Sequence, residues 1–236
     1  MRLEPIRPLT AAPSLAEQAH GAIMDAIAEG RLSPGARVTQ TALAAMLGVS
    51  RAPIQQVLPL LRRQGLLVEA AARGPGGPGL MVAPLDPRQM RQIYEIRAAL
   101  DGMAAGLAAR RARPADIAEG EALLAEGRRA EAAGDLARLI AADGAFHRLI
   151  YRAAGNPLFA ETAAQHWQHI RRVMGAVLRS PAGLGPVWDE HAAILAAIAD
   201  GDAAAAEARA RGHAEAASRR LAGDHPAIND LSGSTP

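Results

Sequence analysis

The sequence contains no cysteine and no lysine. Without Cys there can be no disulfide, no thiolate metal ligand and no thiol nucleophile, and the chain suits a reducing compartment. Without Lys, every obligate cation is an Arg. Aromatic residues make up only 3% of a chain that is half hydrophobic, so its apolar matter is mostly Ala, Leu, Ile and Val. No stretch approaches the roughly 18 uncharged apolar residues of a membrane span. Met1–Ala12 holds two Arg and no apolar run, so a signal peptide is not expected. A cytoplasmic location is the expectation. The 236 residues suffice for one large domain or two small ones with real cores.

The net charge of +2 is unevenly spread. Up to residue 80 there are 8 Arg against 5 acids; beyond it, 18 Arg against 19 acids. A mildly basic first third permits nucleic-acid binding there without requiring it. Composition breaks at Gly74-Pro75-Gly76-Gly77-Pro78-Gly79, which cannot continue a helix. After Pro87 the chain is Ala-rich and helical to about Ala222. Residues 1–12 and 223–236 are expected to be disordered tails.

The first third reads as three helices and a hairpin. Ser14 and Glu17 form a capping box, and Leu15, Ala19, Ala22, Ile23 and Ile27 recur at helical spacing until Gly30. Thr39 or Thr41 starts a short second helix that ends at Gly48. Ser50 starts a third, with Pro53 in its first turn and Ile54, Val57, Leu58 and Leu61 on its apolar side. Leu66–Ala71 and Leu80–Ala83 flank the Gly/Pro loop as a two-stranded wing. Two short helices joined by a tight turn can present the second to the DNA major groove, which is about 12 Å wide. A small helical hairpin that binds nothing has the same spacing.

The remainder reads as an antiparallel bundle of about six helices: Pro87–Ala112, Pro114–Ala133, Leu136–Ala154, Pro157–Arg179, Pro186–Asp200 and Ala203–Ala222. The predicted fold class is therefore all-α dominated, with an N-terminal winged helix-turn-helix at 13–83 and a helical domain at 87–222.

Asp143 and His147, four residues apart, project from one helix face and can share a metal ion. A surface ion pair is the commoner origin of such spacing. His191 and His213 lie on separate predicted helices within apolar periodic stretches, where a lone His is more often a satisfied core-edge side chain. Together the four would suit a metal site inside a bundle. His166 and His169 compete as a pair, but Trp167, Arg171 and Arg172 beside them read as a solvated face. His20 and His225 read as incidental. No nucleophile–base–orienter set, Walker loop or dinucleotide fingerprint is present. Asp189 and Glu190 are the acids next to a candidate ligand, and nothing marks either as a general base.

The string Leu43-Ala44-Ala45-Met46-Leu47-Gly48-Val49-Ser50-Arg51-Ala52-Pro53-Ile54, with Leu60-Leu61 and Gly65-Leu66-Leu67, resembles the winged helix-turn-helix of the GntR family of bacterial transcription regulators. Gly30-Arg31-Leu32-Ser33-Pro34-Gly35 matches the approach to it. Tyr94 to Arg97, Asp143 to His147, Gly155-Asn156, Glu190-His191, Gly201-Asp202 and His213 resemble the FCD type of ligand-binding domain found in the FadR branch.

The resemblance implies a divalent metal on Asp143, His147, His191 and His213. Nitrogen and oxygen donors of this kind suit Zn foremost, and also Ni, Mn, Fe or Co. It further implies a small carboxylate effector, with Arg97 as a bidentate clamp and Asn156 as a hydrogen-bonding partner. An exposed or dimer-contact Arg and a helix-capping Asn are the plainer roles for these two.

The resemblance further implies Arg51 as the foremost expected DNA contact, followed by Gln55, Ser50, Ala52, Arg37 and Arg73. Gln55 and Gln56 stand where the family usually has Arg-Glu, and Gln reads adenine through its amide. Pro59, inside the recognition helix, is expected to kink or shorten it. The sequence thus predicts a homodimeric regulator of a palindromic operator, not an enzyme. A metal-dependent enzyme on a helical bundle, or a DNA-binding protein with a purely dimerising bundle, are the alternatives.

Overall fold

In the computed structural model, residues 13–70, 79–177 and 186–223 are described. The predicted tails, Arg73 and the Gly/Pro loop fall outside them, apart from Gly79 at a strand start and Gly223 at a helix end. The chain divides into two compact units, the first of residues up to Ile27 with Leu32–Pro84, the second of Ala28–Arg31 with the chain from Leu85 on.

In the first unit, Ser14 donates its backbone N–H to Glu17 Oε2 at 2.7 Å and accepts from the Glu17 N–H at 3.2 Å, opening helix α1 (Leu15–Ala28). Thr39, not Thr41, caps α2 (Gln40–Leu47) by accepting from Ala42 N. Gly48 ends it at φ 65°, a left-handed conformation that a side chain would strain. Ser50 holds the N-cap position of α3 (Arg51–Arg63), but its hydroxyl makes no capping bond.

Helix α3 does not stop at Pro59; it continues through it to Arg63. Gln55 and Pro59 are both exposed on one face. The carbonyl freed by the missing N–H can therefore turn to water, and the ring does not press on the core.

The wing is larger than the two strands read from the sequence. Strands β2 (Leu67–Ala70) and β3 (Gly79–Val82) pair antiparallel, and β1 (Arg37–Val38) adds to the other side of β3. Leu67 faces Val82 and Val38 faces Leu80. Gly35, at φ 80°, makes the turn that brings its N–H to Val82 O. Ile23, Leu43, Ile54, Leu61, Leu66 and Val82 fill the core between helices and sheet.

The second unit contains, among the described residues, six helices: α4 (Pro87–Arg111), α5 (Pro114–Ala133), α6 (Leu136–Ala153), α7 (Pro157–Val177), α8 (Val187–Ala199) and α9 (Ala203–Gly223). Asp135 and Asp202 cap α6 and α9 by accepting from Arg138 N and Ala205 N. The Ala-rich composition becomes close helix packing. A Cβ added at Gly102 or Gly106 of α4 would lie 3.2 Å from the carbonyl oxygen of Glu207 or Ala203 on α9. Ala206, Ala210 and Ala214 of α9 are buried, so two slender faces meet without large side chains.

Candidate metal centre and nucleic-acid interface

Three helices converge on one buried point. Helix α6 brings Asp143 and His147, one turn apart; α8 brings His191; α9 brings His213. One donor atom from each lies within 4.8 Å of all the others, and all four residues are buried. His191 Nε2 stands 3.2 Å from His213 Nε2 and 3.5 Å from Asp143 Oδ1, and His147 Nε2 stands 3.9 Å from that same oxygen. Donors each about 2.1 Å from one ion would be separated by roughly 3.0–3.4 Å in octahedral or tetrahedral geometry. The 3.2 Å separation falls in that range, and the 3.5 Å one lies just beyond it.

The surroundings shape these donors. Burial, reinforced by the nearby Arg97 charge, holds His147 well below the ordinary imidazole pKa. Burial, then the neighbouring His213, does the same to His191. Both rings are therefore neutral, the ligating form. Burial raises the Asp143 carboxyl, partly opposed by Arg97. Asp143 Oδ2 is buried without a hydrogen-bond partner. A buried carboxylate whose one oxygen has no hydrogen-bond partner, and whose other lies beside two imidazoles, is costly unless a cation satisfies it. The residues present thus fit a divalent metal.

Outer partners orient two of the rings. His213 Nδ1 donates to Glu190 Oε2 at 2.6 Å, and His147 Nδ1 faces Asp101 Oδ2 at 3.3 Å. Asp101 also accepts from Arg97 Nε at 3.1 Å and from the Tyr151 hydroxyl. His191 is held differently: its ring stacks on Phe146 at 4.5 Å and meets Trp188 edge-on at 5.0 Å. Gly127 makes room for that indole, since a Cβ there would lie 2.1 Å from it. Sequence reasoning did not find Asp101 or Tyr151, and it gave Glu190 no role toward a ligand. Asp101 lies four residues after Arg97, a spacing that marks a helical ion pair.

Arg97 is buried beside the cluster. Burial alone would lower its pKa, but Asp101, Tyr94, Asp143 and Tyr151 together outweigh that and it is raised. The guanidinium packs over Tyr94 and Trp167, 5.5 and 5.6 Å from their ring centres. Its Nη2 donates to His147 Nε2 at 2.5 Å. Asn156 is exposed, and its side chain accepts from Leu158 N at 3.1 Å, which caps α7. His169 and Arg172 are buried, so that side of α7 is not the solvated face expected from the sequence. Burial pushes Arg172 down to about 10. Between α6 and α7 lies a cavity of about 160 Å³, bordered by His147, Tyr151 and Trp167, by Gly144 and three alanines, and by Arg148 and Gln168.

In the first unit, α3 buries Ile54, Val57, Leu58 and Leu61 and exposes Arg51, Ala52, Gln55, Gln56 and Pro59. Ser50 and, on β1, Arg37 are also exposed. Arg62 pairs with Glu69 of β2 at 2.7 Å, tying the end of α3 to the wing. Thr39 spends its hydroxyl on its cap. Arg73 lies outside the described residues.

A winged helix-turn-helix followed by a helical bundle defines a class of two-part transcription regulators. Residues 15–74 match the family described as bacterial regulatory proteins, gntR family, and residues 92–216 match the FCD domain. The chain belongs to the GntR family of transcription regulators, in its FCD-containing branch. It is 31% identical over 154 residues to the HTH-type transcriptional regulator McbR of Escherichia coli, covering 65% of this chain and 67% of that protein. It is 30% identical over 194 residues to a probable D-xylose utilization operon transcriptional repressor of Paenarthrobacter nicotinovorans, covering 80% of each. Among solved structures, E. coli McbR/YncC superposes with a TM-score of 0.75 over 89% of this chain and 98% of that one, at 26% identity. A regulator from Rhodococcus, at 22% identity and a TM-score of 0.73, shares the fold. These relatives are regulators, which sets aside the enzyme considered from the sequence. No described helix is long and apolar enough to cross a membrane.

Proposed function

We propose that this regulator binds a palindromic operator as a homodimer, and that a metal-assisted small-acid effector in its bundle sets the affinity. The winged helix near residues 13–83 would read DNA, and the bundle near 87–222 would dimerise and sense. The observation that carries the reading is the convergence of Asp143, His147, His191 and His213 on one buried point. A metal held there, zinc foremost, would supply a Lewis-acidic seat for a carboxylate.

The residues around that seat suit such a ligand. Arg97 brings a buried cation, and the cavity beside His147 has no acidic residue in its lining. Its roughly 160 Å³ is close to the about 150 Å³ cavity that accepts benzene in another protein. The effector body is thus compact, and its apolar part would rest on Trp167 and the alanines. Effector binding would need to prefer one arrangement of the dimer to alter operator affinity.

On the DNA side, Arg51 and Gln55 lie one turn apart on the exposed face of α3. Gln55 would pair bidentately with adenine, and Arg51 with guanine or phosphate. Ser50, Ala52, Arg37 and Arg73 would serve backbone or wing contacts. Two-fold symmetric dimers read two-fold symmetric sites.

The test is selection of bound sequences from random duplex DNA at a fixed moderate salt. It is run with zinc alone, and with acetate, benzoate, citrate or D-xylose added; the sugar is included because the Paenarthrobacter relative is named for it. Enrichment of a palindrome, with binding altered by one of the acids, is the expected result. Salt-sensitive binding without sequence preference under every condition would overturn the reading.

A further inference from the structure

We infer that Glu190 and Arg220 form an outer clamp that positions His213 for the metal, making Glu190 a positioning residue of this site. The inference rests on the proposed metal reading.

Glu190 sits on α8 beside His191, so one helix supplies a candidate ligand and, from the next residue, the partner of a ligand on another helix. Glu190 Oε2 accepts from His213 Nδ1 at 2.6 Å. Arg220 then grips both carboxylate oxygens, Nη1 to Oε1 at 2.8 Å and Nη2 to Oε2 at 3.0 Å. Arg220 follows His213 by seven residues, two turns along the same face of α9. The carboxylate is thus fixed from two levels of one helix and cannot rotate away from the imidazole.

A carboxylate oxygen held there by Arg220 has a defined consequence for the ring. It requires the proton on Nδ1 and so leaves the Nε2 lone pair facing His191 and Asp143. It also raises the basicity of that lone pair. The other two imidazoles lack an equivalent clamp. Asp101 is farther from His147, at 3.3 Å, and is shared with Arg97 and Tyr151. His191 Nδ1 is buried without a hydrogen-bond partner, and aromatic packing holds its ring instead. His213 is therefore the ring whose direction is most firmly determined before metal arrives.

A plain α8–α9 brace would use the same Glu190–Arg220 pair, and metal affinity separates the two roles. The full-length protein and its Glu190→Gln and Arg220→Gln variants are compared for zinc affinity by chelator competition. Cobalt absorption spectra and metal-free melting temperatures are recorded alongside. Glu190→Gln is expected to weaken zinc binding by roughly 10–100-fold and to change the cobalt spectrum. Arg220→Gln, which leaves the carboxylate in place, should weaken zinc binding less and keep the rank order even if Glu190→Gln folds poorly. Zinc affinity within about twofold of the parent in both variants, with lowered metal-free melting temperatures, would make the pair a brace and overturn the inference. A parent protein that binds no zinc, cobalt, nickel or manganese would overturn the metal reading itself, and the inference with it.

Discussion

Arg97 and His147 meet at the nitrogen that His147 turns toward Asp143: the guanidinium donates to Nε2 at 2.5 Å. A buried cation thus occupies the approach to one candidate ligand while being anchored through Nε to Asp101. A metal held by His147 would replace that bond and release one edge of the guanidinium. Replacing Arg97 with Met is expected to tighten zinc binding, on the order of tenfold, because a like charge is removed. The same change should abolish binding of a carboxylate probe such as benzoate. Titration calorimetry with each ligand separately checks both signs; parallel weakening of the two would count against the arrangement.

The four convergent donors make a sharper demand. Replacing His191 or Asp143 with Ala should reduce metal content below stoichiometric after dialysis. Affinity should fall by more than the roughly 10–100-fold expected for an outer partner. Elemental analysis reads this directly, and full occupancy in His191→Ala would remove that residue from the site.

Gly144 sets a size limit. A Cβ there would lie 2.7 Å from the Trp167 ring, which borders the cavity between α6 and α7. Gly144→Ala is expected to push the indole and to weaken benzoate more than acetate. Its stability should fall by about 1–3 kcal/mol from overpacking. Equal effects on both acids would mean that the cavity does not take the effector body.

For the DNA-binding unit, Gln55→Ala should flatten the preference at one base position of each half-site, worth about 1–3 kcal/mol of discrimination. Selection with the variant and parent side by side shows whether the lost base is adenine. Pro59→Ala restores a helical N–H on the exposed face. It should raise the stability of this unit by up to about 3 kcal/mol, read from chemical denaturation.

The bundle carries an acid-sensitive contact. Asp116 accepts from the side chain and the backbone N–H of Arg113, and these bonds hold its carboxyl below the ordinary 3.8. A lowered folded-state pKa adds stability above that value and loses it as pH falls toward the folded pKa. Arg113→Ala should lessen the stability difference between pH 6 and pH 3. The effect is small, because Arg113 is largely exposed.

Much of this architecture could be read in advance because it is written locally. Pro114 and Gly134 bracket α5, and Asp135 and Asp202 announce the starts of α6 and α9 by their capping chemistry. The four convergent residues were reached by the one-turn spacing of Asp143 and His147 and then by family resemblance. What escaped was non-local or very short. Strand β1 has two residues, too few for a period of two to show. Tyr151 meets Asp101 across 50 positions and Arg220 meets Glu190 across 30, and no spacing rule spans such gaps. Asn156 shows the reverse, since its capping bond to Leu158 was legible beside the effector role the resemblance suggested.

The glycine–alanine seam between α4 and α9 has a consequence in time. It joins Gly102 and Gly106 to residues near 203–211, about a hundred positions later. Until α9 has left the ribosome, α4 lacks its long partner and His213 has not been made. The nascent chain can complete its winged helix early, but its bundle must wait for nearly the whole sequence. Any metal taken up by the four donors would therefore load late, and a stalled chain would carry a finished winged helix with an unfinished bundle.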